Sequence, residues 1–123
     1  MEARKSKVVY IAGPYRAYSE DGKPIINQIY RNIDRARWAA EELAAAGIFF
    51  LCPHLNSGLM DGAADDEFFL EMGLELLARC DAILLIGNWR GSDGSCMERE
   101  MAATMEIPIF EDIRKLKKAI KNG

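Results

Sequence analysis

The feature that most constrains the fold of this chain is an alternation of short apolar runs with longer segments of helical periodicity. Residues 8–12 form the first run, which is rich in β-branched residues and closed by a Gly-Pro pair, as is typical of a strand buried on both faces. Apolar residues then recur at helical spacing from Ile26 to Leu43, and Gly47 predicts the end of that helix.

The same alternation continues along the rest of the chain. The further predicted strands cover residues 48–52, 82–86 and 107–110, and loops follow at 53–56 and 87–94. The further predicted helices cover residues 68–78, 95–105 and a basic segment from Asp112 onward. Asp65 or Asp66 is the predicted N-cap of the helix over 68–78.

Alternating strands and helices predict an α/β fold with a parallel sheet. We expect a single domain over residues 1–123, with a Rossmann-like (flavodoxin-like) three-layer sandwich and a parallel sheet of four to five strands. Ligands of such sheets bind beyond the carboxyl ends of the strands, where the strand order reverses. That rule selects four segments, namely 13–16, 53–56, 89–98 and the residues after Phe110.

Charge, cysteine usage and hydropathy limit the class of function. The 16 Lys and Arg residues against 19 Asp and Glu residues give a formal net charge of -3, which supplies no positive field for polymeric nucleic acid. Cys52, Cys80 and Cys96 lack the spacing of a disulfide framework or a zinc site. No apolar run approaches the roughly 20 residues that span a bilayer, and residues 1–7 lack the apolar stretch of a signal peptide. We therefore expect a cytoplasmic protein with no membrane partner.

A glycine and an arginine follow the first predicted strand. Gly13 and Arg16 lie where backbone amides and a guanidinium can converge on an anion, for which a phosphate is the natural choice. The turn carries neither the GxGxxG fingerprint of dinucleotide sites nor a Walker loop. A tight turn with a solvated Arg16 is the alternative that these residues leave open.

The segment from Trp89 to Glu98 places small residues before a predicted helix that carries a carboxylate in its first turn. Helix N-termini favour anions, so we expect Glu98 to stay ionised at neutral pH, as a nucleophile requires. The alternative is structural, because residues 95–98 match the SxxE capping box, with Ser95 or Asp93 as the cap.

Tyr10, His54 and Asn56 are the other polar candidates. Tyr10 lies inside a strand predicted to be buried, where its hydroxyl needs a partner, either a carboxylate or a backbone carbonyl. His54 and Asn56 follow the second strand and are candidates for contacts to a base or a ribose, with a structural or exposed histidine as the alternative. Cys96 has neither a partner histidine nor a resolving cysteine, so a thiol mechanism is not favoured.

Three motifs in order carry a resemblance to a known family. They are Tyr10 to Arg16 in the sequence YIAGPYR, then Cys80-Asp81, then Ser92-x-Gly94-x-x-x-Glu98. From residue 8 to about 110 the chain resembles the nucleoside 2-deoxyribosyltransferase superfamily, and within it the short proteins grouped as DUF4406. The resemblance implies that Glu98 attacks the anomeric carbon, that Tyr10 orients it, that no metal or organic cofactor is used, and that the protein forms a homodimer or a higher homo-oligomer.

The residues at two positions of the resemblance distinguish between substrates. Deoxyribosyltransferases proper have an aspartate where this chain has Ser92, whereas the similar 5′-monophosphate N-glycosidases have serine there and an arginine matching Arg16. Serine can donate to a phosphate that an aspartate would repel. The resemblance therefore implies a hydrolase that releases the base from a (deoxy)nucleoside 5′-monophosphate, with Gly13, Arg16, Ser92 and Gly94 around the phosphate. A transferase that exchanges bases on deoxynucleosides is the nearest alternative.

The chain departs from the family pattern at Gly73. Eight residues before Asp81 the family has an aspartate that is thought to protonate the leaving base, and a glycine supplies no proton. Glu71, Asp66 and Glu67 are candidate substitutes. The departure keeps open a nucleotide-binding module that lacks efficient catalysis, and beyond it a structural domain without a ligand.

Overall fold

The protein is an α/β sandwich built on four parallel strands, as a computed structural model shows for residues 6–122. The strands are β1 (Val8–Ala12), β2 (Phe49–Leu51), β3 (Ala82–Leu85) and β4 (Ile109–Phe110). The helices are α1 (Ile26–Ala45), α2 (Pro53–Ser57), α3 (Asp66–Leu77), α4 (Asp93–Thr104) and α5 (Ile113–Asn122), with a short 3-10 turn at Trp89–Gly91. The predicted flavodoxin-like class is confirmed.

The strand order is β2-β1-β3-β4, so β1 lies inside the sheet. The chain leaves β1 for β2 on one side and then returns to β3 on the other, which puts the reversal of strand order between β1 and β3. Tyr10 pairs with Leu51 of β2 and with Ile83 of β3, both in parallel register. The carboxyl ends of β1 and β3 therefore form the edge where ligands of such sheets bind.

Alternate residues of β1 enter two separate cores. Val9 and Ile11 pack against α1 and α5, where Leu43 and Leu116 are fully buried. Tyr10 packs on the opposite face of the sheet with residues of α3 and α4, including Leu77 and Ala102. The central strand is thus buried on both faces, as its continuous apolar run predicts.

Two predicted boundaries are wrong for identifiable reasons. Residues 53–57 form the short helix α2 rather than a loop, because Pro53 suits the first helical position. Helix α4 begins at Asp93, and its cap is Ser92, whose side chain accepts a hydrogen bond from the Ser95 amide at 3.2 Å. The predicted capping box is therefore not formed.

Other predicted helix signals are confirmed. Asp65 caps α3 by accepting a hydrogen bond from the Phe68 amide at 2.9 Å. Helix α1 ends just before Gly47, which has a φ of 74°, a conformation that favours glycine. Residues 1–5, which belong to the segment tested for a signal peptide, lie outside the described residues.

Candidate functional site

A cavity of about 700 Å³ opens at the carboxyl ends of β1 and β3, where the strand order reverses. The segments after β1, β2 and β3 all contribute to its lining, as the sequence predicts. The residues after β4 do not. Glu111 instead accepts a hydrogen bond from the Trp89 indole at 3.0 Å and pairs with Arg90 at 3.2 Å, outside this cavity.

Tyr10 and Glu98 meet in the lining of this cavity. The Tyr10 hydroxyl donates a hydrogen bond to Oε2 of Glu98, across 88 positions of sequence. Tyr10 is fully buried in β1, whereas Glu98 on α4 is partly buried and lines the cavity. The strand thus positions a donor that holds the carboxylate in place, which is the contact expected for a buried phenol.

The electrostatics of this pair differ from the expectation for Glu98. Burial raises the pKa of Glu98 from its ordinary value of 4.5 to about 7, although the hydrogen bond from Tyr10 acts in the opposite direction. Glu98 is therefore only partly ionised at neutral pH, whereas its predicted place at a helix N-terminus implies full ionisation. The cause is burial, and the helix N-terminus does not offset it, because α4 begins at Asp93 and Glu98 falls beyond the first turn, where the stabilisation of anions fades.

Tyr10 keeps its proton throughout the ordinary pH range. Burial, then the charge of Glu98 and its hydrogen bond, raise the pKa of Tyr10 far above its usual range. The hydroxyl therefore acts as a fixed hydrogen-bond donor to Glu98.

Gly73 on α3 makes room for this pair. A Cβ built at Gly73 would lie 2.9 Å from the Tyr10 hydroxyl oxygen and 3.6 Å from Oε2 of Glu98. Gly73 permits the close approach of Tyr10 and Glu98 to α3. A side chain at this position would displace them.

The residues proposed to replace the family acid are not placed for that role. Glu67 and Glu71 are exposed on α3 and do not line the cavity. Asp66 does line it, but its carboxylate pairs with Arg16 at 2.9 Å.

Arg16 lies at the cavity, where the sequence places it, in an ion-pair network. Besides Asp66, its guanidinium contacts Asp61 at 3.7 Å. Asp61 also accepts a hydrogen bond from the Tyr15 hydroxyl at 3.0 Å, and that hydroxyl accepts one from the Leu59 amide at 2.8 Å. The loop after α2 is thereby tied to the turn after β1, and two carboxylates offset the charge of Arg16.

His54 holds the turn after β1 in place through a hydrogen bond. It is only 6% exposed, and its Nε2 donates to the Pro14 carbonyl at 2.9 Å. Burial lowers the pKa of His54, so the ring is neutral. His54 lines the cavity, whereas Asn56 is exposed on α2 and does not, so the structure does not bring Asn56 to the site.

The N-terminus of α4 forms another wall. Ser92 and Gly94 line the cavity, as predicted, but the Ser92 side chain is engaged as the helix cap. Gly13 also lines the cavity, and a Cβ built there would lie 2.6 Å from Cγ1 of Ile86. Glycine is therefore needed at position 13 for the close approach of the two strand ends.

Sequence reasoning missed the contribution of α1. Gln28, Asn32 and Arg35 line the cavity, and Asn32 is buried although polar. Asn32 accepts a hydrogen bond from the Gln28 amide and donates one to the Tyr15 carbonyl, each at 3.1 Å. Polar residues at i, i+4 and i+7 beside the apolar face of α1 were the available signal.

Other chemistry is sparse in the part of the chain that the structure describes. Cys52, Cys80 and Cys96 are free thiols. Residues 6–122 contain no group of three or more His, Cys, Asp or Glu side chains arranged to hold a metal ion. Within the same residues, no helix has the length and apolar character needed to cross a membrane.

Comparisons with known proteins agree with this fold. Residues 7–112 match the family DUF7768, described as a domain of unknown function. The structure is similar to that of a 2-deoxyribosyltransferase from the psychrotolerant bacterium Bacillus psychrosaccharolyticus, with a TM-score of 0.58 and 16% identity over 89% of this chain and 90% of that chain. At this identity the likeness shows the fold alone. No curated protein matches, and the narrower resemblance to DUF4406 stays a prediction.

Proposed function

The chain belongs to the DUF7768 family, and from its site we propose that it hydrolyses the N-glycosidic bond of a (deoxy)nucleoside 5′-monophosphate, with Glu98 as the nucleophile. The observation that carries this proposal is the Tyr10–Glu98 pair, a carboxylate held by a buried donor at the wall of a nucleotide-sized cavity. The likeness to a 2-deoxyribosyltransferase supports the coarser part of the proposal, a glycosyl-transfer type of reaction on a nucleoside.

In the proposed reaction an ionised Glu98 attacks the anomeric carbon as the bond to the base breaks, so that a covalent glycosyl-enzyme forms. The base leaves with the electron pair of the C–N bond. Water then attacks the same carbon, which releases the sugar 5-phosphate and restores the carboxylate, and the proton that water loses ends on the base. Tyr10 directs one carboxylate oxygen and leaves the other free to react. Because the pKa of Glu98 is about 7, only part of the protein carries the reactive form at neutral pH.

The remaining predicted residues surround the sugar and the phosphate in this proposal. Ser92 and Gly94 line the cavity at the N-terminus of α4, which favours an anion, and Gly13 lines it after β1. Arg16 would contact the phosphate in place of its ion pairs with Asp61 and Asp66. Association into a homodimer stays a prediction.

One observation favours a second candidate function. Arg16 is already paired with Asp61 and Asp66, so a substrate without a phosphate would leave these ion pairs undisturbed. An exchange of bases on unphosphorylated deoxynucleosides is therefore the alternative.

The test is a panel of ribo- and deoxynucleoside 5′-monophosphates and the matching nucleosides, with free base followed by chromatography. We expect base release from the monophosphates, reduced at least roughly a thousandfold in Glu98→Ala. Glu100→Ala, an exposed change on the same helix, is the matched control and should retain activity.

The other outcomes are equally informative. Transfer between two bases without net hydrolysis would replace the first candidate by the second. Nucleotides that raise the melting temperature without any base release would identify a binding module.

A further inference from the structure

We propose that the substrate of this site carries a cationic base, which departs as a neutral molecule and needs no proton from the enzyme. This inference rests on the proposed function and specifies its substrate class. Quaternised heterocycles such as a pyridinium or an N7-alkylated purine have this property. Three features of the cavity support the inference. They are the lack of a placed proton donor among its described residues, the residues of α3 that line it, and its excess of carboxylates over guanidiniums.

No described residue of the cavity is placed to protonate a departing neutral base. Glu98 must itself be ionised to attack, and the N–H of His54 is used by the Pro14 carbonyl. Asp61 and Asp66 are paired as carboxylates with Arg16. A neutral purine or pyrimidine therefore finds no general acid here, and protonation of the leaving group contributes much to such reactions.

Asp93 does not change this conclusion. It occupies the first position of α4, at the positive end of the helix dipole. It is exposed to solvent.

The wall of α3 beside the Tyr10–Glu98 pair is suited to a cationic ring. This α3 wall consists of Phe69, Leu70 and Gly73, which all line the cavity. Phe69 is the aromatic residue of this wall, and an aromatic ring attracts a cation placed over its face. None of the three wall residues is charged. Gly73 adds no side chain to the wall, because the Tyr10 hydroxyl and Oε2 of Glu98 occupy the space beside it.

The charges of the cavity also favour a cation. Its lining contains four carboxylates, Asp61, Asp66, Asp93 and Glu98, against two guanidiniums, those of Arg16 and Arg35. A positive base offsets part of the charge of the 5′-phosphate, which this cavity would otherwise accept at an electrostatic cost.

The reaction balances without an acid. Glu98 forms a bond to the anomeric carbon while the electron pair of the C–N bond goes to the ring nitrogen, which neutralises the cation. Water then displaces Glu98 and loses a proton to solvent. Cleavage of a cationic base therefore releases one proton per turnover, whereas hydrolysis of a neutral nucleoside releases none because the proton leaves on the base.

The test uses the full chain and four probes with their 5′-monophosphates, namely nicotinamide riboside, 7-methylguanosine, guanosine and uridine. Each enzymatic rate is divided by the uncatalysed rate of the same probe, since cationic bases are intrinsically labile. We expect an acceleration at least about a hundredfold larger for the two cationic probes, with one proton released per base in weakly buffered solution.

Two variants test the α3 wall directly. Phe69→Leu should raise the KM of the cationic probes about fivefold and should leave inhibition by a neutral nucleoside nearly unaltered. Leu70→Asp supplies a carboxyl group to the wall and should increase cleavage of guanosine or uridine about tenfold relative to Leu70→Asn.

Two results would overturn the inference in distinguishable ways. Equal accelerations for neutral and cationic probes, all lost in Glu98→Ala, would remove the inference and leave the proposed function standing. Absence of base release from every probe would remove both.

Discussion

The α1 face and the α3 face of the sheet take alternate residues from the same central strand. Val9 and Ile11 enter an apolar core with α1 and α5. Tyr10, between them in sequence, enters the other core and ends in a hydrogen bond to Glu98. A shift of one residue along β1 therefore separates side chains that join an apolar cluster from a side chain that reaches an ionisable group.

The two layers differ in what their buried groups contribute to the free energy of folding. In the cluster that Val9 and Ile11 join on the α1 face, burial of apolar side chains contributes to stability. On the α3 face, a carboxylate is kept next to a buried phenol although burial disfavours its charge. Stability and reactivity should therefore respond differently to mutations on the two faces.

The largest expected effect compares core leucines of the two faces. Leu43→Ala on α1 should reduce the free energy of unfolding by about 2–5 kcal/mol, because Leu43 is 0% exposed, and should preserve base release per folded molecule. Leu77→Ala on α3 should cost about as much stability and also reduce base release, since Leu77 lies one turn beyond Gly73. Urea denaturation measures the free energy of unfolding, and the base-release assay measures activity per folded molecule. Loss of specific activity in Leu43→Ala but not in Leu77→Ala would contradict the difference between the two faces.

Glu98→Gln should stabilise the protein at alkaline pH. The pKa of Glu98 rises from 4.5 to about 7 on folding, so between these values the folded state holds a proton that the unfolded chain has lost. The contribution of Glu98 to the free energy of unfolding is therefore fully present below about pH 4.5. It decreases by about 3 kcal/mol as the pH rises through about 7. Glu98→Gln removes this loss, so its advantage over the wild type should be greatest above pH 7.

Catalysis should follow the opposite trend with pH. Base release needs the ionised carboxylate, so kcat/KM should rise with pH through about 7 and then level off. Denaturation curves at pH 5 and pH 8 and a pH–rate profile measure the two trends. Equal free energies of unfolding for Glu98→Gln and wild type at both pH values would contradict the claim that burial disfavours the charge of Glu98.

Gly73→Ala should destabilise the protein by about 1–3 kcal/mol, although alanine is the better helix former. The added Cβ would lie 2.9 Å from the hydroxyl oxygen of fully buried Tyr10. Tyr10→Phe removes that oxygen. The double variant Gly73→Ala with Tyr10→Phe should therefore be destabilised by at least about 1 kcal/mol less than the sum of the two single variants.

A second helical glycine provides the control for this cycle. A Cβ built at Gly94 meets nothing within 4 Å, so Gly94→Ala should not destabilise the protein. If Gly73→Ala and Gly94→Ala have the same effect on thermal unfolding, the crowding at Gly73 is disproved.

The smallest expected effect separates two helix caps. Ser92→Ala and Asp65→Ala each remove a cap hydrogen bond and should each cost about 1 kcal/mol. Only Ser92 lines the cavity, so only Ser92→Ala should also raise the KM for a monophosphate. A similar change of KM in both variants would show that the effect is transmitted by stability alone.

Much of the fold could be predicted because local patterns agree with the packing. The apolar run of β1 and the cap at Asp65 are confirmed by the structure. The start of α4 was misplaced because Asp93 and Gly94 read as loop residues, whereas the cap at Ser92 already begins the helix. Caps placed three residues apart cannot be distinguished without the hydrogen bond itself.

The site could be predicted only in part. Tyr10 and Glu98 were identified by their motifs, but the protonation of Glu98 was not, because it depends on burial by elements distant in sequence. The ion pairs of Arg16 and the lining by Arg35 likewise arise from contacts between separate segments. Asn56 was selected by its proximity to His54, yet the helical geometry of α2 turns it to solvent.

The most direct test of the central claim is to trap the glycosyl-enzyme. Wild type and Glu98→Gln are mixed with the best substrate of the panel, quenched in acid and examined by peptide mass spectrometry. We predict that the wild-type peptide containing Glu98 gains the mass of the sugar phosphate and that the variant forms no adduct. Base release by the wild type without an adduct on Glu98, together with activity retained in Glu98→Gln, would contradict the account.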